Sequence, residues 1–272
     1  MSKKLYLSEF AVNLFSARWL ITSANQFMSG GTMGAEEQDV ANSCHIYLIC
    51  KSPVVSFSKD SLKYENGNLS VKVNYRVEGE IREKEFSFDF PLLDGAASVK
   101  LSNYPHREIL TLDSAGAVVR YLPASVVSIG TGWHLENREL SDLEVLYIGQ
   151  SFGDGTRTAF ERLRNHSTLQ KILAQAQYES PDNEIQILTF EYAPYRIIHQ
   201  MDGRAGNVIS DYRDMDRFRS IQDNHLTKYE QICLIEAGLI RYFQPRYNAI
   251  YKDSFPSDKH KILEGCYNLD FS

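Results

Sequence analysis

The stretch Glu144-Val-Leu-Tyr-Ile-Gly-Gln150 contains a short apolar run that is followed by a glycine. An apolar run of this length, bounded by turn residues, is typical of a buried β-strand. The glycine-rich segment Phe152-Gly-Asp-Gly155 follows it and indicates a loop. We therefore predict a strand over residues 144–148 that carries Tyr147 near its end. A tyrosine in that position is most often a core aromatic whose hydroxyl reaches the surface.

The chain on either side of this strand has the pattern of a small mixed α/β domain. Further strands are predicted over residues 132–136 and 184–192. Three capping boxes, each a hydroxyl three positions before an acid or amide, predict helices that begin near Ala159, Thr168 and Lys228. These boxes are Thr158 with Glu161, Ser167 with Gln170, and Thr227 with Glu230. The predicted element order is β-β-α-α-β-α.

The preceding part of the chain has a hydrophobic period of two, which is typical of half-buried strands. Val71, Val73 and Tyr75 alternate with polar residues, and Asn66-Gly67 and Glu78-Gly79 are hairpin turn pairs. We therefore predict an α+β protein with two domains. An antiparallel β-rich module covers residues 1–124, and a small α/β domain covers residues 125–272.

The composition is ordinary for a globular protein of 272 residues, with 43% hydrophobic residues and a formal net charge of -6. That charge argues against a generally basic nucleic-acid coat protein, although a nuclease needs only a local positive site. The four cysteines form no CxxC pair, which favours reduced thiols in a cytoplasmic protein. No apolar run is long enough to span a bilayer, so no membrane association is expected.

The helix predicted over residues 228–243 carries one carboxylate, Glu236, inside the apolar run Ile232-Cys-Leu-Ile-Glu-Ala-Gly-Leu-Ile240. An unpaired buried carboxylate costs several kcal/mol, so Glu236 needs a cation, a hydrogen-bond network or an exposed face. The helix predicted after Thr158 places Arg162 and His166 four residues apart on one face. Such a pair suits a phosphate oxyanion, and a solvated basic face is the alternative.

Together these features resemble the GIY-YIG nuclease superfamily. The matching elements are Tyr147-Ile-Gly149 at a strand end, Arg162-x-x-x-His166 on the next helix, and a helical Glu236 twelve residues before Asn248. The resemblance covers roughly residues 130–251. It implies a three-stranded sheet flanked by helices, and a metal-dependent endonuclease that hydrolyses phosphodiester bonds in DNA.

The resemblance also implies roles for individual residues. Glu236 would ligate one divalent cation, Mg²⁺ or Mn²⁺, and Arg162 would stabilise charge on the scissile phosphate. Tyr147 would border the attacking water or contact the phosphate. The remaining contacts to phosphate and metal surroundings would come from His166, Gly149, Arg164 and Asn248.

One departure from the family pattern concerns the first strand. Family members usually carry Gly-Ile-Tyr there, and that tyrosine is often proposed to help deprotonate the water. In this chain the best-placed segment before Tyr147 is Gly132-Trp133-His134. His134 could serve as the base, because an imidazole accepts a proton more readily than a phenol near neutral pH. The alternative is that this position has lost its role.

The expected partner is DNA, with RNA and a homo-oligomer left open. Local positive charge would offset the overall acidity, supplied by Arg157, Arg162, Arg164, Lys171, Arg241 and Arg246. The alternative function is a catalytically weak or inactive GIY-YIG-like protein that binds nucleic acid without turnover.

Overall fold

The structure is a computed structural model and describes residues 6–29, 34–92, 95–130, 138–151, 163, 167–201, 208–257 and 259–268. These residues form a mixed α+β fold built mostly from antiparallel sheets. The α+β class predicted from the sequence is therefore confirmed. The strand predicted over 132–136 and the helix predicted from Ala159 lie outside the described residues.

The strands are β1 (Ser8–Asn13), β2 (Ser16–Ser23), β3 (Ile46–Pro53), β4 (Val55–Phe57), β5 (Lys63–Glu65), β6 (Asn68–Val77), β7 (Glu80–Asp89), β8 (Ala96–Leu101), β9 (Glu108–Asp113), β10 (Val118–Pro123), β11 (Glu144–Gln150), β12 (Asn183–Tyr192) and β13 (Arg196–Met201). The helices are α1 (Ala24–Ser29), α2 (Ala35–Ser43), α3 (Ala124–Gly130), α4 (Arg138–Ser141), α5 (Ser167–Glu179), α6 (Tyr212–Asp223), α7 (Lys228–Phe243) and α8 (Lys261–Asn268).

The central sheet has the strand order β11-β3-β12-β2, and all three pairings are antiparallel. Strand β3 is almost continuously buried, as expected for an inner strand covered on both faces. One face carries Tyr47 and Ile49 against Ile172 of α5. The other carries Ile46 and Leu48 against α7. The central sheet, with β3 inside it, therefore forms a layer between helices α5 and α7.

This topology shows that the predicted domain boundary near Ala124 is wrong. Strands β2 and β3 come from the first 124 residues, yet they form one sheet with β11 and β12 from the second part. The β-rich segment from β4 to α4 is instead an insertion between β3 and its partner β11. Strand pairing depends on hydrogen bonds that ignore sequence separation, so a change in local pattern did not mark the real division.

The β-rich insertion has its own core. It contains a sheet of β4, β5, β6 and β7 and a second sheet of β8, β9 and β10. Their inner faces, together with α3 and α4, share one apolar cluster that includes Phe57, Val73, Ile109 and Leu122. The predicted turn Asn66-Gly67 joins β5 to β6, with both residues at positive φ, as a two-residue hairpin turn requires.

Polar contacts near the end of β3 attach the insertion to the central sheet. Arg107 donates to Glu184 at 2.7 Å, and the Gly79 N–H of the β6–β7 turn donates to Asp182 at 2.9 Å. Burial raises the pKa of Glu184, although Arg107 opposes this shift. An ion pair that is partly buried on both sides fixes orientation more than it adds stability.

A short ribbon of β1 and β13 packs against α6 through a buried ion pair. Ser8 donates to the Asp214 carboxylate through its backbone N–H at 3.2 Å and its hydroxyl at 2.8 Å. Arg217 donates to the Ser8 carbonyl at 2.8 Å and stacks over Phe10. These bonds satisfy the Asp214 carboxylate and fix the ribbon to the helix.

None of the helices in the described part of the chain is both long and apolar enough to cross a bilayer.

Gln186 in the middle of β12 is fully buried, opposite Cys50 of β3 and Ser23 of β2. Neither of its amide atoms hydrogen-bonds a described residue. A buried polar group without a partner costs about 1–3 kcal/mol. We expect Gln186→Met, which keeps the unbranched shape, to raise the free energy of unfolding by about 1 kcal/mol. Urea denaturation measures this, and a loss of stability would contradict it.

Candidate active site

The pairing of β3 with β11 brings two tyrosines and a glycine together. Gly149 of β11 lies directly opposite Tyr47 of β3, and Tyr147 lies opposite Ile49. A bulge between Val145 and Tyr147 shifts the register, so Leu146 and Tyr147 both contact the cluster that contains Tyr47. The Tyr47 and Tyr147 rings are 6.2 Å apart, between centroids, and inclined at 34°.

Gly149 is required at its position because the Tyr47 phenol occupies the space where a side chain would be. A Cβ placed on Gly149 would lie 2.5 Å from the Tyr47 hydroxyl oxygen and 2.6 Å from its Cζ. It would also lie 3.0 Å from Cε1 of Tyr147. The glycine of the Tyr-Ile-Gly segment is therefore needed because a second tyrosine ring lies over it. The sequence alone did not reveal this contact.

Tyr47 is the residue that sequence reasoning missed. It is fully buried, whereas Tyr147 is half-buried and so the more accessible of the two phenols. The available signal was the apolar run Ile46-Tyr-Leu-Ile-Cys50, which has the character of an inner strand. The insertion separates this run from Tyr147 in sequence, so no local pattern connects the two segments.

Asn248 clamps the outer edge of β11. Its Oδ1 accepts the Ile148 N–H at 2.9 Å, and its Nδ2 donates to the Ile148 carbonyl at 2.8 Å. The neighbouring Tyr247 N–H donates to the Leu146 carbonyl at 3.0 Å. The side chain of Asn248 thus replaces a missing strand neighbour and holds the backbone between Tyr147 and Gly149.

We expect Asn248→Ala to lower the free energy of unfolding by about 2 kcal/mol, because two hydrogen bonds are lost and the Ile148 amide and carbonyl lose their partners. Asn248→Asp keeps the acceptor but not the donor, so we expect an intermediate loss. Chemical denaturation of the three proteins measures the order. Equal stability of Asn248→Ala and the wild type would contradict the clamp.

Glu236 lies on α7, which packs on β3 and β11 through Ile232, Ile235 and Ile240. The helix begins with the predicted capping box, in which the Thr227 N–H donates to Glu230 at 2.8 Å and the Glu230 N–H donates to the Thr227 hydroxyl. Glu236 itself is half-buried, unlike the isoleucines on either side of the contact face. It is therefore neither sealed in the core nor surrounded by solvent.

The charge of Glu236 acts on two phenols. The pKa of Tyr229 is raised, chiefly by its hydrogen bond with Cys233 and then by burial, and the charge of Glu236 is the smallest cause. The pKa of Tyr251 is raised by burial first and then by Glu236. A nearby negative charge disfavours the phenolate, which is why both shifts have the same sign. The carboxylate therefore lies within electrostatic reach of both tyrosines.

Strand β11 also reaches α7 on this side. The Gln150 amide donates to the Cys233 sulfur at 3.3 Å, one turn of helix before Glu236. The β11 residues after Tyr147 thus alternate, with Gly149 facing Tyr47 and Gln150 facing α7. The end of β11 lies between the paired tyrosines on one face of the sheet and the Glu236 helix on the other.

Positive charge near β11 comes from two of the basic residues that the sequence singled out. The Lys171 ammonium lies 6.0 Å from the centroid of the Tyr247 ring, and the Arg246 guanidinium lies 5.4 Å from the same ring. Arg246 also forms an ion pair with Glu179 at 2.7 Å. Lys171 is exposed and has no acidic partner among the described residues, so it is the more available cation.

Arg241 is engaged elsewhere, since it donates to the Lys252 carbonyl and approaches Asp253 at 3.6 Å. The other predicted site residues, His134, Arg162, Arg164 and His166, lie outside the described residues, as does Arg157. The structure thus brings Tyr147, Gly149 and Asn248 together directly, whereas Glu236 lies on the helix that packs on the opposite face of the sheet from the two tyrosines.

The described residues fit a cation that needs few protein ligands. Mg²⁺ commonly takes one or two carboxylates and keeps several waters, and the half-buried Glu236 is a single carboxylate of this kind. Among the residues described, no group of three or more His, Cys, Asp or Glu side chains is placed to hold a metal ion. A closed cage of the structural zinc type is therefore not present in that part of the chain.

Burial governs the chemistry of the cysteines Cys44 and Cys50. All four are free and buried. Burial raises the pKa of Cys44 to about 11 and that of Cys50 to about 12. Because the thiolate is the nucleophile and the metal ligand, neither thiol is reactive near neutral pH.

Comparison of the chain with protein-family models, with curated proteins and with solved structures found no match.

Proposed function

We propose that this chain is a metal-dependent endonuclease that hydrolyses phosphodiester bonds in DNA, with a site of the GIY-YIG type. The observation that carries the proposal is the antiparallel pairing of β3 with β11. It sets Tyr47 against Gly149 and beside Tyr147 on one face of the sheet, while the helix that carries Glu236 packs on the opposite face of the same two strands. The central sheet of β11, β3 and β12 between α5 and α7 supports the three-stranded core that the resemblance implies.

In this proposal Tyr47, rather than His134, takes the position of the first-strand tyrosine. The support is its place on the strand that pairs directly with the Tyr-Ile-Gly strand. Tyr147 is the phenol that borders the attacking water or the phosphate, because it is the more accessible of the pair. Tyr47 is a positioning residue, which fixes the end of β11 by filling the space over Gly149.

Glu236 is the proposed ligand of one Mg²⁺ or Mn²⁺. The bound ion would polarise a water and offset charge on the phosphate. Arg162 and His166 keep the phosphate-binding roles that the family resemblance gives them, and Arg164 a substrate contact. Lys171 adds a cation next to β11, where a DNA backbone would need one. Asn248 and Gly149 act by holding the backbone on either side of Ile148.

The direct test is cleavage of supercoiled plasmid DNA by the purified protein, with Mg²⁺ and with excess chelator. We expect nicking or linearisation that requires the divalent ion. This activity should co-elute with the protein in a final gel-filtration step. If neither duplex DNA, single-stranded DNA nor RNA is cleaved in Mg²⁺ or Mn²⁺, the nuclease proposal is contradicted.

A second candidate is a GIY-YIG-like protein that binds nucleic acid without cutting it. The observation that favours it is the complete burial of Tyr47, including its hydroxyl oxygen. A phenol in that position cannot take a proton from water without a local rearrangement. Binding of DNA in a mobility-shift assay, with no turnover under any of the conditions above, would favour this candidate.

A further inference from the structure

A cleft of about 400 Å³ lies where the β-rich insertion meets the central sheet, at the far end of β3 from Tyr47. Its floor is one face of the β4-β6-β7 sheet, where Ser56 is paired with Asn74 and Ile81 with Arg76. One wall is the turn that carries Tyr104, and the other is Pro181-Asp182 before β12. The volume lies in the range of small-ligand sites.

Tyr104 has an unusual position for a large aromatic residue, since its side chain is 89% exposed. The turn beneath it is firmly held. The Ser102 N–H donates to the Glu108 carbonyl at 2.9 Å, and the Phe57 N–H donates to the His106 carbonyl at 2.8 Å. The His106 ring packs edge-on at 6.3 Å from the Tyr104 ring. A rigid turn thus presents an exposed aromatic face beside the cleft.

The cleft also offers charge and hydrogen-bonding groups. The Arg76 side chain is 58% exposed and approaches Asp182 only to 3.9 Å. That carboxylate already accepts the Gly79 N–H at 2.9 Å, and Arg107 is engaged with Glu184. Arg76 therefore retains donors for an anion, and Asn74 and Ser56 line the floor with amide and hydroxyl groups.

We propose that this cleft binds an unpaired nucleotide of a nucleic-acid strand, with the base stacked on Tyr104, its edge against Asn74 and Ser56, and a phosphate on Arg76. An aromatic platform beside an arginine is the usual chemistry by which proteins hold single strands. A base paired within a duplex presents no face to Tyr104, so the cleft selects single-stranded or frayed regions.

The proposal deepens the proposed function and rests on it for the choice of ligand. Seven residue steps along the chain lead from Tyr47 in β3 to Val54 at the cleft, which is a span of roughly 23 Å at about 3.3 Å per residue. The cleft would then hold the strand at a fixed distance from the bond to be cut.

The test is fluorescence anisotropy with a labelled oligodeoxythymidine of roughly 12 nucleotides, a length typical of single-strand sites, with excess chelator so that cleavage plays no part. We expect Tyr104→Ala to weaken binding about tenfold and Tyr104→Phe, which keeps the ring, to bind like the wild type. Arg76→Gln should weaken binding and lower the slope of log K against log salt by about one. A blunt duplex of the same length should not respond to Tyr104→Ala.

Matched controls are Tyr212→Ala, whose side chain is 73% exposed on α6, and Arg219→Gln, whose side chain is 69% exposed on the same helix. Both should bind like the wild type, and an oligouridine probe shows whether the sugar matters. Unchanged binding of Tyr104→Ala, equal losses for Tyr104→Ala and Tyr104→Phe, or no binding of any single strand would overturn the inference. Tyr104-dependent binding without cleavage in the plasmid assay would instead remove the nuclease proposal alone.

Discussion

Glu236→Gln is expected to slow phosphodiester cleavage by at least about 10³-fold, because a metal ligand contributes several kcal/mol to charge stabilisation and about 1.4 kcal/mol corresponds to a factor of ten. The substitution keeps the size and shape of the side chain and removes only its charge. Since Glu236 is half-buried on a well-packed helix, the amide should be accommodated with little change in stability. The measurement is the initial rate of plasmid nicking at saturating Mg²⁺.

The matched control is Glu230→Gln on the same helix. Glu230 accepts the Thr227 N–H in the capping box, and glutamine fulfils the same role. Its cleavage rate and unfolding midpoint should equal those of the wild type. Wild-type cleavage by Glu236→Gln would show that the metal is not bound at this carboxylate.

A second readout of Glu236→Gln does not depend on activity. The charge of Glu236 contributes to the raised pKa values of Tyr229 and Tyr251. Removing that charge should lower both pKa values, since the phenolate is no longer repelled. An ultraviolet titration of tyrosine ionisation, compared between Glu236→Gln and Glu230→Gln, would detect the shift. Identical titrations would mean that Glu236 lies farther from the two phenols than the structure indicates.

Elements governed by local rules could be predicted from the sequence. The capping box at Thr227 predicted the start of α7 correctly, and the apolar stripe predicted its length to Phe243. Turn pairs such as Asn66-Gly67 located the hairpins, because positive φ is needed there and few residues adopt it. The strand predicted over 184–192 corresponds to β12. In each case the signal lies within a few residues of the structure it specifies.

Strand pairing could not be predicted in this way. The partner of β11 is β3, and the whole β-rich insertion lies between them in sequence. Nothing in Glu144–Gln150 indicates which distant strand will supply its hydrogen bonds, because backbone groups are the same in every strand. The two-domain division failed for this reason. It followed the change from strand to helix pattern near Ala124 and not the sheet.

The candidate site residues also fall into two groups, those that a local sequence pattern reveals and those whose role depends on a long-range contact. Tyr147, Gly149, Glu236 and Asn248 were found from motif order, because each lies in a segment whose own pattern is clear. Tyr47 was missed because its relevance depends on a long-range contact, namely the passage of its ring over Gly149. The role of Asn248 was also only partly foreseen. Its amide binds the Ile148 backbone on both sides, so it acts on the site through the strand.

Gly149→Ala is expected to destabilise the protein by about 3 kcal/mol, near the upper end for an overpacked core. The new methyl group would lie 2.5 Å from the Tyr47 hydroxyl oxygen and 2.6 Å from Cζ. Tyr47 is fully buried and has no solvent into which to move. The end of β11 must shift instead, which would also displace Tyr147 and lower any cleavage activity. Urea denaturation at equilibrium measures the loss.

A double-mutant cycle with Tyr47→Leu tests the cause of this loss. Leucine removes the ring atoms that meet the new methyl group, so Gly149→Ala should cost less in that background, with a coupling of about 1–2 kcal/mol. Gly238→Ala on α7 is the matched control. Outside the backbone of its own helix and its chain neighbours, no atom lies within 4 Å of its added Cβ, so the same change in a helix interior should stabilise the protein by about 0.5–1 kcal/mol. Additive losses in the cycle would mean that Gly149 is required for its backbone alone, and the contact between Tyr47 and the Tyr-Ile-Gly strand would no longer support a shared site.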